Sequence, residues 1–479
     1  MIRYAFIHII SSFSTLFNMR VILSCVSIFL GFSVLLSVCT LVRATTNVPL
    51  PSYPLAVKSP YLSAWLPGNQ TSDVATAQPQ FWAGQNLTWA ILARIDSITY
   101  SLFGLPHAPA GTVAAKTLGI SYTSTHTVIS LLAGTTFITL DFFSPVFPEP
   151  ADYARQSLPY SYLTVSAKST TSRTHRVQIL SAIDQTWTAQ KGASDLSYAA
   201  TRSVGYFTFY NPAAIHFTEE DDMATYGSVI YATLTKGANM SHACRPAAEM
   251  YATFAQTGSI KNNGICTATD LAGLSQALGL VGKKATNVTF AIGFDRANAV
   301  NFLGSPQTAL YRSKWPTVPT ALDYVFTDYS DASSASWEFD HEIRSRSEAV
   351  SKSFGKQYAD IVEASVRQCF GAMELTVSGR HSILRYSADD LQVPANNMKQ
   401  APQAFIKEIS SDGNVNTIDI IFQTWPIFIV LNPEYIRMLL QPTLTYLSLP
   451  KSQGWPQPWV IHDLGRCKHK CISFVMSDD

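Results

Sequence analysis

The stretch KEISSDGNVNTID, residues 407–419, concentrates the side chains best suited to polar chemistry. Three carboxylates and two amides lie within it, directly before an apolar segment: Glu408, Asp412, Asn414, Asn416 and Asp419. A carboxylate held at the mouth of an apolar domain can act as a general acid or base in hydrolysis. We therefore predict Glu408, Asp412 and Asp419 as catalytic residues, and Asn414 and Asn416 as substrate-binding residues. The alternative is an exposed turn that leads into a helix cap.

Three other polar segments favour simpler roles. FTEEDD, residues 217–222, has four successive carboxylates without the alternate spacing of a calcium loop, which predicts a solvated loop or a helix start. His341 lies among charged residues and is expected on the surface. His462 and Asp463 adjoin an apolar segment and are compatible with either a structural or a functional role.

The C-terminal segment CKHKC offers potential soft metal ligands at Cys467, His469 and Cys471. A closed zinc site takes four ligands, usually from two clusters, and the sequence contains no second cluster. The chain also lacks a GxSxG elbow, an HExxH helix, a Walker loop and a dinucleotide fingerprint. We therefore predict no metal and no cofactor.

Two kinds of element must position these residues. From about residue 80 to 330, β-branched and aromatic segments alternate with Gly, Pro, Asn or Ser clusters, which predicts a large antiparallel β-sandwich. DLAGLSQALGL, at 270–280, is a candidate helix within this region. From Phe339 to Met373 most apolar residues are four apart, which predicts one long helix or two helices broken at Gly355.

A further helix is predicted at NPEYIRMLLQP, with Asn432 as its cap, Pro433 in the first turn and Pro442 as the residue that kinks or ends it. The fold class is thus multidomain, β then α. The boundary is predicted between 325 and 340, and we set it at 335/336.

The N-terminus predicts export. An apolar run from Val21 to Val42 ends in Val42-Arg43-Ala44, which matches a signal peptidase site, so residues 1–44 are predicted as a signal peptide, with 1–18 an optional upstream extension. A retained signal anchor is the alternative, since about 20 apolar residues span a bilayer. The expected location is extracellular, with no stable membrane partner after cleavage. The formal charge of +1 gives no reason to expect nucleic acid.

Two features agree with secretion. Asn-x-Ser/Thr sequons predict N-glycosylation at Asn69, Asn86, Asn239 and Asn287. Cys244 and Cys266 flank a polar, Gly-containing segment, and an oxidising compartment would let them form a disulfide. The alternative is two unpaired thiols.

Several long segments, taken together, resemble the fungal secreted glutaminase A family. They are YPLAVKSPYLSAWLPG, QFWAGQNLTWAILARIDSITYSLFG, PYSYLTVSAKS, FTEEDDMATYGSVIYAT and KEISSDGNVNTIDIIFQTWPIF, and the resemblance covers roughly residues 48–465. It implies an extracellular enzyme that hydrolyses L-glutamine to glutamate and ammonia without a cofactor. It also implies a supersandwich-like β domain, here 45–335, followed by an (α/α)6 six-hairpin toroid, here 336–465 and incomplete.

The sequence departs from that family after His462-Asp463-Leu464-Gly465, where RCKHKC replaces a run resembling YPNATGH. We expect residues 466–479 to be a non-family tail and the chain to be C-terminally truncated, with weak or no activity. Two other functions stay open at this stage. One is a non-catalytic β-sandwich that binds carbohydrate or cell wall, and the other is a glycoside hydrolase on the six-hairpin fold.

Overall fold

A computed structural model of the chain describes residues 48–189, 194–235, 240–263, 265–378 and 401–465. In it, the strand-forming segments build two main sheets that are almost entirely antiparallel. The smaller sheet has the order β16-β17-β10-β3-β4-β5, antiparallel except at β4–β5. Its strands are β3 (Trp89–Ile95), β4 (Ile98–Phe103), β5 (Val113–Ala114), β10 (His175–Ile183), β16 (Met240–Arg245) and β17 (Leu271–Val281).

The larger sheet has the order β11-β12-β15-β18-β9-β8-β7-β6. Its strands are β6 (Lys116–Tyr122), β7 (His126–Ala133), β8 (Thr136–Phe143), β9 (Tyr160–Ser169), β11 (Asp195–Ala200), β12 (Val204–Tyr210), β15 (Ser228–Leu234) and β18 (Thr286–Asp295). Two short pairs are added, β1 (Ser52–Ala56) with β2 (Ala64–Pro67) and β13 (Glu219–Glu220) with β14 (Met223–Ala224).

The main hydrophobic core lies between these two sheets. In β8 every second side chain is fully buried, which is the period that one buried face requires. Trp89 of the smaller sheet packs edge-on against Phe142 of the larger sheet, with ring centroids 5.1 Å apart. The predicted antiparallel sandwich is therefore confirmed.

The candidate helix at 270–280 is wrong, because these residues form strand β17. This strand pairs with β10 on one side and β16 on the other, so the sheet and not the local sequence decides its conformation. A helix does occur shortly before this strand: α2 (Ala247–Thr257) packs Met250 and Phe254 on the outer face of the smaller sheet.

The helical part begins earlier than the sequence pattern suggested. One short helix, α1 (Tyr153–Gln156), lies within the β part. After the last sandwich strand, the short helix α3 (Tyr311–Lys314) leads into α4 (Val318–Glu348) and α5 (Gly355–Gly371). Thr317 and Thr320 form a reciprocal capping box at the start of α4. The predicted boundary at 335/336 thus falls inside one continuous helix. The break near Gly355 is confirmed, because α4 ends at Glu348 and α5 begins at Gly355. A Cβ at Gly355 would lie 2.1 Å from the carbonyl oxygen of Glu348, so the two helix ends approach closely there.

Helix α4 covers the outer face of the larger sheet. Leu322 and Val325 pack against strand residues, and the Tyr162 hydroxyl donates to the carbonyl of Val325 at 2.9 Å. The Arg155 guanidinium binds both carboxylate oxygens of Asp328 at 2.8 and 3.0 Å. The β part and α4 are therefore tightly joined.

A four-stranded sheet and two more helices complete the described chain. The sheet has the order β19-β20-β21-β22, formed by Asn298–Phe302, Ser305–Ala309, Met373–Ser378 and Gln403–Ile406. The helices are α6 (Ile418–Leu431) and α7 (Glu434–Leu447). The Asn432 side chain accepts from the amide of Glu434 at 3.1 Å, as a cap does. Pro442 does not end α7, because Thr443 and Tyr446 beyond it are buried.

The structure joins Cys244 and Cys266 in a disulfide with a Cα–Cα distance of 5.0 Å. Asn69, Asn86 and Asn287 are exposed, whereas Asn239 lies outside the described residues. Residues 1–44, with the predicted signal segment, and the tail 466–479 also lie outside them. Within the described ranges, no helix is both long and apolar enough to cross a membrane.

Candidate functional site

The predicted polar stretch forms a closed loop between β22 and α6. The Glu408 amide donates to the Asn414 carbonyl at 2.8 Å, and the Gly413 amide donates to the Glu408 carbonyl at 3.1 Å. Gly413 has φ of 73°, a conformation that glycine adopts without strain. Asp412 is therefore held at an exposed tip.

A second segment, Ile461 to Gly465, pairs with this loop. The Val415 amide donates to the carbonyl of Gly465 at 3.1 Å, and the Leu464 amide donates back to Val415 at 2.8 Å. The Ile418 amide donates to the carbonyl of His462 at 2.8 Å. These bonds bring His462 and Asp463 beside the predicted catalytic carboxylates.

Asp463 is the centre of this arrangement. It accepts from the backbone amide of Gly465 at 2.6 Å and from the side-chain amide of Asn414 at 3.2 Å, and it contacts Nδ1 of His462 at 2.8 Å. Nε2 of His462 lies 3.3 Å from a carboxylate oxygen of Asp419. We use "loop site" for Glu408, Asp412, Asn414, Asp419, His462 and Asp463.

The electrostatics of the loop site favour a protonated imidazole. The hydrogen bond to Asp463 raises the pKa of His462 above its usual value and outweighs the lowering effect of burial, and the charges of Asp463, Asp419 and Glu408 add smaller increases. The imidazole side chain is 66% exposed, so a substrate can reach it. An exposed histidine between two carboxylates can give and take protons.

Glu408 is held differently from the other carboxylates. Its oxygens accept from the hydroxyls of Ser411 and Thr417, the latter at 2.9 Å, and Thr417 is buried. Asp412 instead accepts from the Asn414 side chain at 3.2 Å. The structure thus brings Glu408, Asp412, Asp419 and Asn414 into one surface site.

Asn416 is not part of that surface. It is fully buried, and its amide donates to the carbonyl of Leu439 at 2.9 Å and accepts from the backbone amide of Ile406 at 2.8 Å. It also has φ of 52°, which asparagine tolerates better than most residues. Its side chain supports the loop from below, and its role in substrate binding stays a prediction.

The expectation of a solvated FTEEDD segment is also wrong. Glu219 and Glu220 pair with Met223 and Ala224 in the β13–β14 hairpin, and the side chain of Glu219 is only 6% exposed because it binds Lys407. No local sequence pattern predicts the contact between Glu219 and Lys407, since 188 residues separate them. His462 and Asp463 had a weak signal, a polar pair after an apolar segment, whereas His341 is exposed as expected.

Within the described part of the chain, no group of three or more His, Cys, Asp or Glu side chains is arranged to hold a metal ion. The CKHKC ligands lie outside the described residues.

The architecture and the site together define a class: a β-sandwich protein continued by paired α-helices, with an acidic loop between the pairs. Family models match in the same order, a domain of unknown function (DUF5127) at residues 125–346 and the glutaminase A six helical-hairpin domain at 355–468. The chain is 31% identical over 477 residues to glutaminase A of Aspergillus oryzae, across 94% of this chain and 64% of that protein. The chain is therefore a homologue of glutaminase A that includes a region matching its six helical-hairpin domain.

A second relative and the solved structures add less. The chain is 24% identical over 472 residues to a probable glutaminase of Arthroderma benhamiae, across 89% of this chain and 50% of the relative. The chain therefore spans between half and two thirds of the length of these two relatives. Among solved structures, a candidate kojibiose phosphorylase from the human microbiome matches with a TM-score of 0.28 and 8% identity, over 70% of this chain and 41% of that one. A score this low carries no argument.

Proposed function

We propose that the loop site hydrolyses the side-chain amide of L-glutamine to give L-glutamate and ammonia. The observation that supports this most directly is the pairing of His462 with Asp463 and Asp419 inside the predicted carboxylate loop. The names of the two relatives supply the substrate class, and the chain's similarity to them makes glutamine the first substrate to test.

The reaction breaks the C–N bond of the amide and forms a C–O bond to water. In our proposal a carboxylate of the loop site takes a proton from the attacking water, and Asp419 suits this role because it is 64% exposed beside His462. His462, oriented by Asp463, delivers a proton to the departing nitrogen, which leaves as ammonia. Glu408 and Asp412 position the attacking water and the substrate, and the side-chain amide of Asn414 forms a hydrogen bond with the substrate.

The test is ammonia release from L-glutamine by the purified chain, with Asp419→Asn and the control Asp331→Asn, an exposed aspartate on α4. We expect Asp419→Asn to lower kcat/KM by about 10²- to 10⁴-fold, the usual contribution of a general acid or base. Asp331→Asn should leave it unchanged. The same assay is run on a version extended to the length of the relatives.

Absence of ammonia release in both lengths would overturn the glutaminase proposal. Release of aryl alcohol from a panel of aryl glycosides would instead favour the glycosidase alternative. Equal activity of the short and extended chains would refute the expectation that truncation weakens the enzyme.

We further propose that the protein is exported and glycosylated. The sequence supports this through the apolar run from Val21 to Val42 and the cleavage pattern at Ala44, and the exposure of Asn69, Asn86 and Asn287 leaves these sequons accessible. Recovery of glycosidase-sensitive protein from culture medium is the expected result. Recovery only in the cell-associated membrane fraction would favour the signal anchor.

A further inference from the structure

Lys407, the residue immediately before Glu408, lies in a buried cluster of charges. Its ammonium binds a carboxylate oxygen of Glu219 and lies 3.7 Å from one of Asp222. The three side chains are 1%, 6% and 9% exposed, respectively. Removing one partner from a buried ion pair is costly because it leaves an uncompensated charge. We use "Lys407 cluster" for Lys407, Glu219 and Asp222.

The hairpin that supplies the two carboxylates has an unusual turn. Asp221 and Asp222 have φ of 48° and 67°, a region that residues other than glycine seldom occupy. The Gln85 side chain donates to the carbonyl of Asp221 at 2.9 Å and holds the turn in place. Backbone strain of this kind persists only where the surrounding contacts determine it.

The loop site lies directly on this cluster. A Cβ added to Gly413 would be 2.2 Å from Oδ1 of Asp222 and 3.2 Å from Cε of Lys407. The backbone at the tip of the loop therefore packs so closely on the cluster that a methyl group at Gly413 would displace the Asp222 carboxylate. Any outward movement of Lys407 or the hairpin would move Glu408 and Asp412 with it.

An aromatic ring extends the cluster toward the four-stranded sheet. The ring centroid of Tyr61 lies 4.8 Å from the Lys407 ammonium and 3.9 Å from the Arg296 guanidinium, so two cations contact one ring. Arg296 in turn forms an ion pair with Glu374 of β21. The cluster is thus tied both to the β part and to the strand beside β22.

We propose that Glu219 and Asp222, acting through Lys407, are positioning residues that hold the loop site in its active arrangement. The assignment of a reaction to the loop rests on the function proposed above. The positioning itself is a property of the folded chain and can be measured without activity.

The experiment compares Glu219→Gln with Asp328→Asn in the complete chain by hydrogen–deuterium exchange. Glu219→Gln keeps the shape of the side chain and removes the charge that faces Lys407. Asp328→Asn is the matched control, because it breaks another partly buried ion pair between a β-part residue and the helical part, that with Arg155. The readout is the exchange rate of peptides covering 407–417, which contain the hydrogen-bonded amides of Glu408 and Gly413.

We expect Glu219→Gln to speed exchange across 407–417 by about tenfold or more. The buried ammonium of Lys407 loses a compensating charge in this variant, which favours opening of the loop to solvent. Asp328→Asn should leave that exchange unchanged. If Glu219→Gln does not fold, Asp222→Asn replaces it, with a smaller acceleration expected in the same peptides. Wild-type exchange in a folded variant, or equal acceleration in the control, would overturn the proposal.

Kinetics separate this proposal from the proposed function. If the wild type releases ammonia, Glu219→Gln should lower kcat/KM, because it displaces both the catalytic carboxylates and the substrate-binding Asn414 of the loop site. If the wild type releases none, the hydrolysis proposal fails while the exchange result still decides the positioning proposal.

Discussion

Lys58 should make the protein more stable as the pH rises above neutral, contrary to the usual behaviour of a surface lysine. Its ammonium is buried and donates to the carbonyls of Pro145 and Gln156 at 3.0 and 2.8 Å. Burial, reinforced by the charge of Arg155, lowers the pKa of Lys58 from 10.5 to about 7. No carboxylate causes this shift, so the folded state disfavours the charged amine.

The sign follows from proton binding. Between the two pKa values the unfolded chain holds the proton on Lys58 and the folded chain releases it, so the free energy of unfolding rises with pH. Each tenfold change in proton affinity corresponds to about 1.4 kcal/mol. With a folded pKa of about 7 and an unfolded value of 10.5, raising the pH from 7 to 9 should add about 2 kcal/mol from this residue alone.

The assay is urea unfolding followed by tryptophan fluorescence at these two pH values for wild type, Lys58→Met and Lys284→Met. Lys284 is exposed, so its variant should keep the wild-type pH dependence. Lys58→Met loses two hydrogen bonds at every pH, but it should also lose the extra 2 kcal/mol or so of stability gained between pH 7 and 9. Identical pH dependence in Lys58→Met and wild type would refute the burial of a neutral amine.

Two further predictions concern the loop site. Gly413→Ala should lower the free energy of unfolding by about 2–4 kcal/mol, since the new Cβ meets Asp222, whereas Gly304→Ala should cost only about 1 kcal/mol. Gly304 has φ of 72° against 73° for Gly413 and no atom within 4 Å of its Cβ position, so equal losses in calorimetry would mean that only the backbone conformation matters. Separately, Asp463→Asn should return the pKa of His462 toward its usual value in an NMR titration. The stabilisation from this ion pair is fully present below the pKa of His462 in the unfolded chain, and it is lost as the pH rises through the raised pKa of the folded chain. An unchanged titration would show that Asp463 does not cause the raised pKa.

The β-sandwich could be predicted because burial repeats along its strands with a period of two. The mistaken helix at 270–280 shows the limit of local patterns. Leu271–Val281 has little β-branched character, and it becomes a strand because β10 and β16 both pair with it. Such partners are distant in sequence and leave no local signal.

The helices show the opposite error. The four-residue spacing from Phe339 located the second half of α4 and all of α5, but it missed the start of α4 by about twenty residues. The capping box at Thr317 and Thr320 was a readable start signal, with Pro319 in the first turn. Pro442 was given too much weight, since buried residues beyond it hold the last turn of α7.

The proximity of several loop-site residues could be predicted from the sequence, but the contacts that support them could not be. Carboxylates and amides close together in sequence must be close in space, so Glu408, Asp412 and Asn414 were accessible to local reasoning. Asn416 belongs to the same stretch and yet points inward, because its positive φ turns its side chain toward Leu439. Which residue of a loop faces solvent depends on backbone conformation that the residue types do not specify.

The same contacts bear on how the β part and the helical part share the site. Lys407 and Glu408 are consecutive, yet the first is buried against a hairpin of the β part and the second lies in the proposed reaction centre. A change at Glu219 can therefore reach Glu408 through one side chain and one peptide bond. In our proposal the β-sandwich therefore supports the loop site through buried charges, with Glu219 and Asp222 as positioning residues.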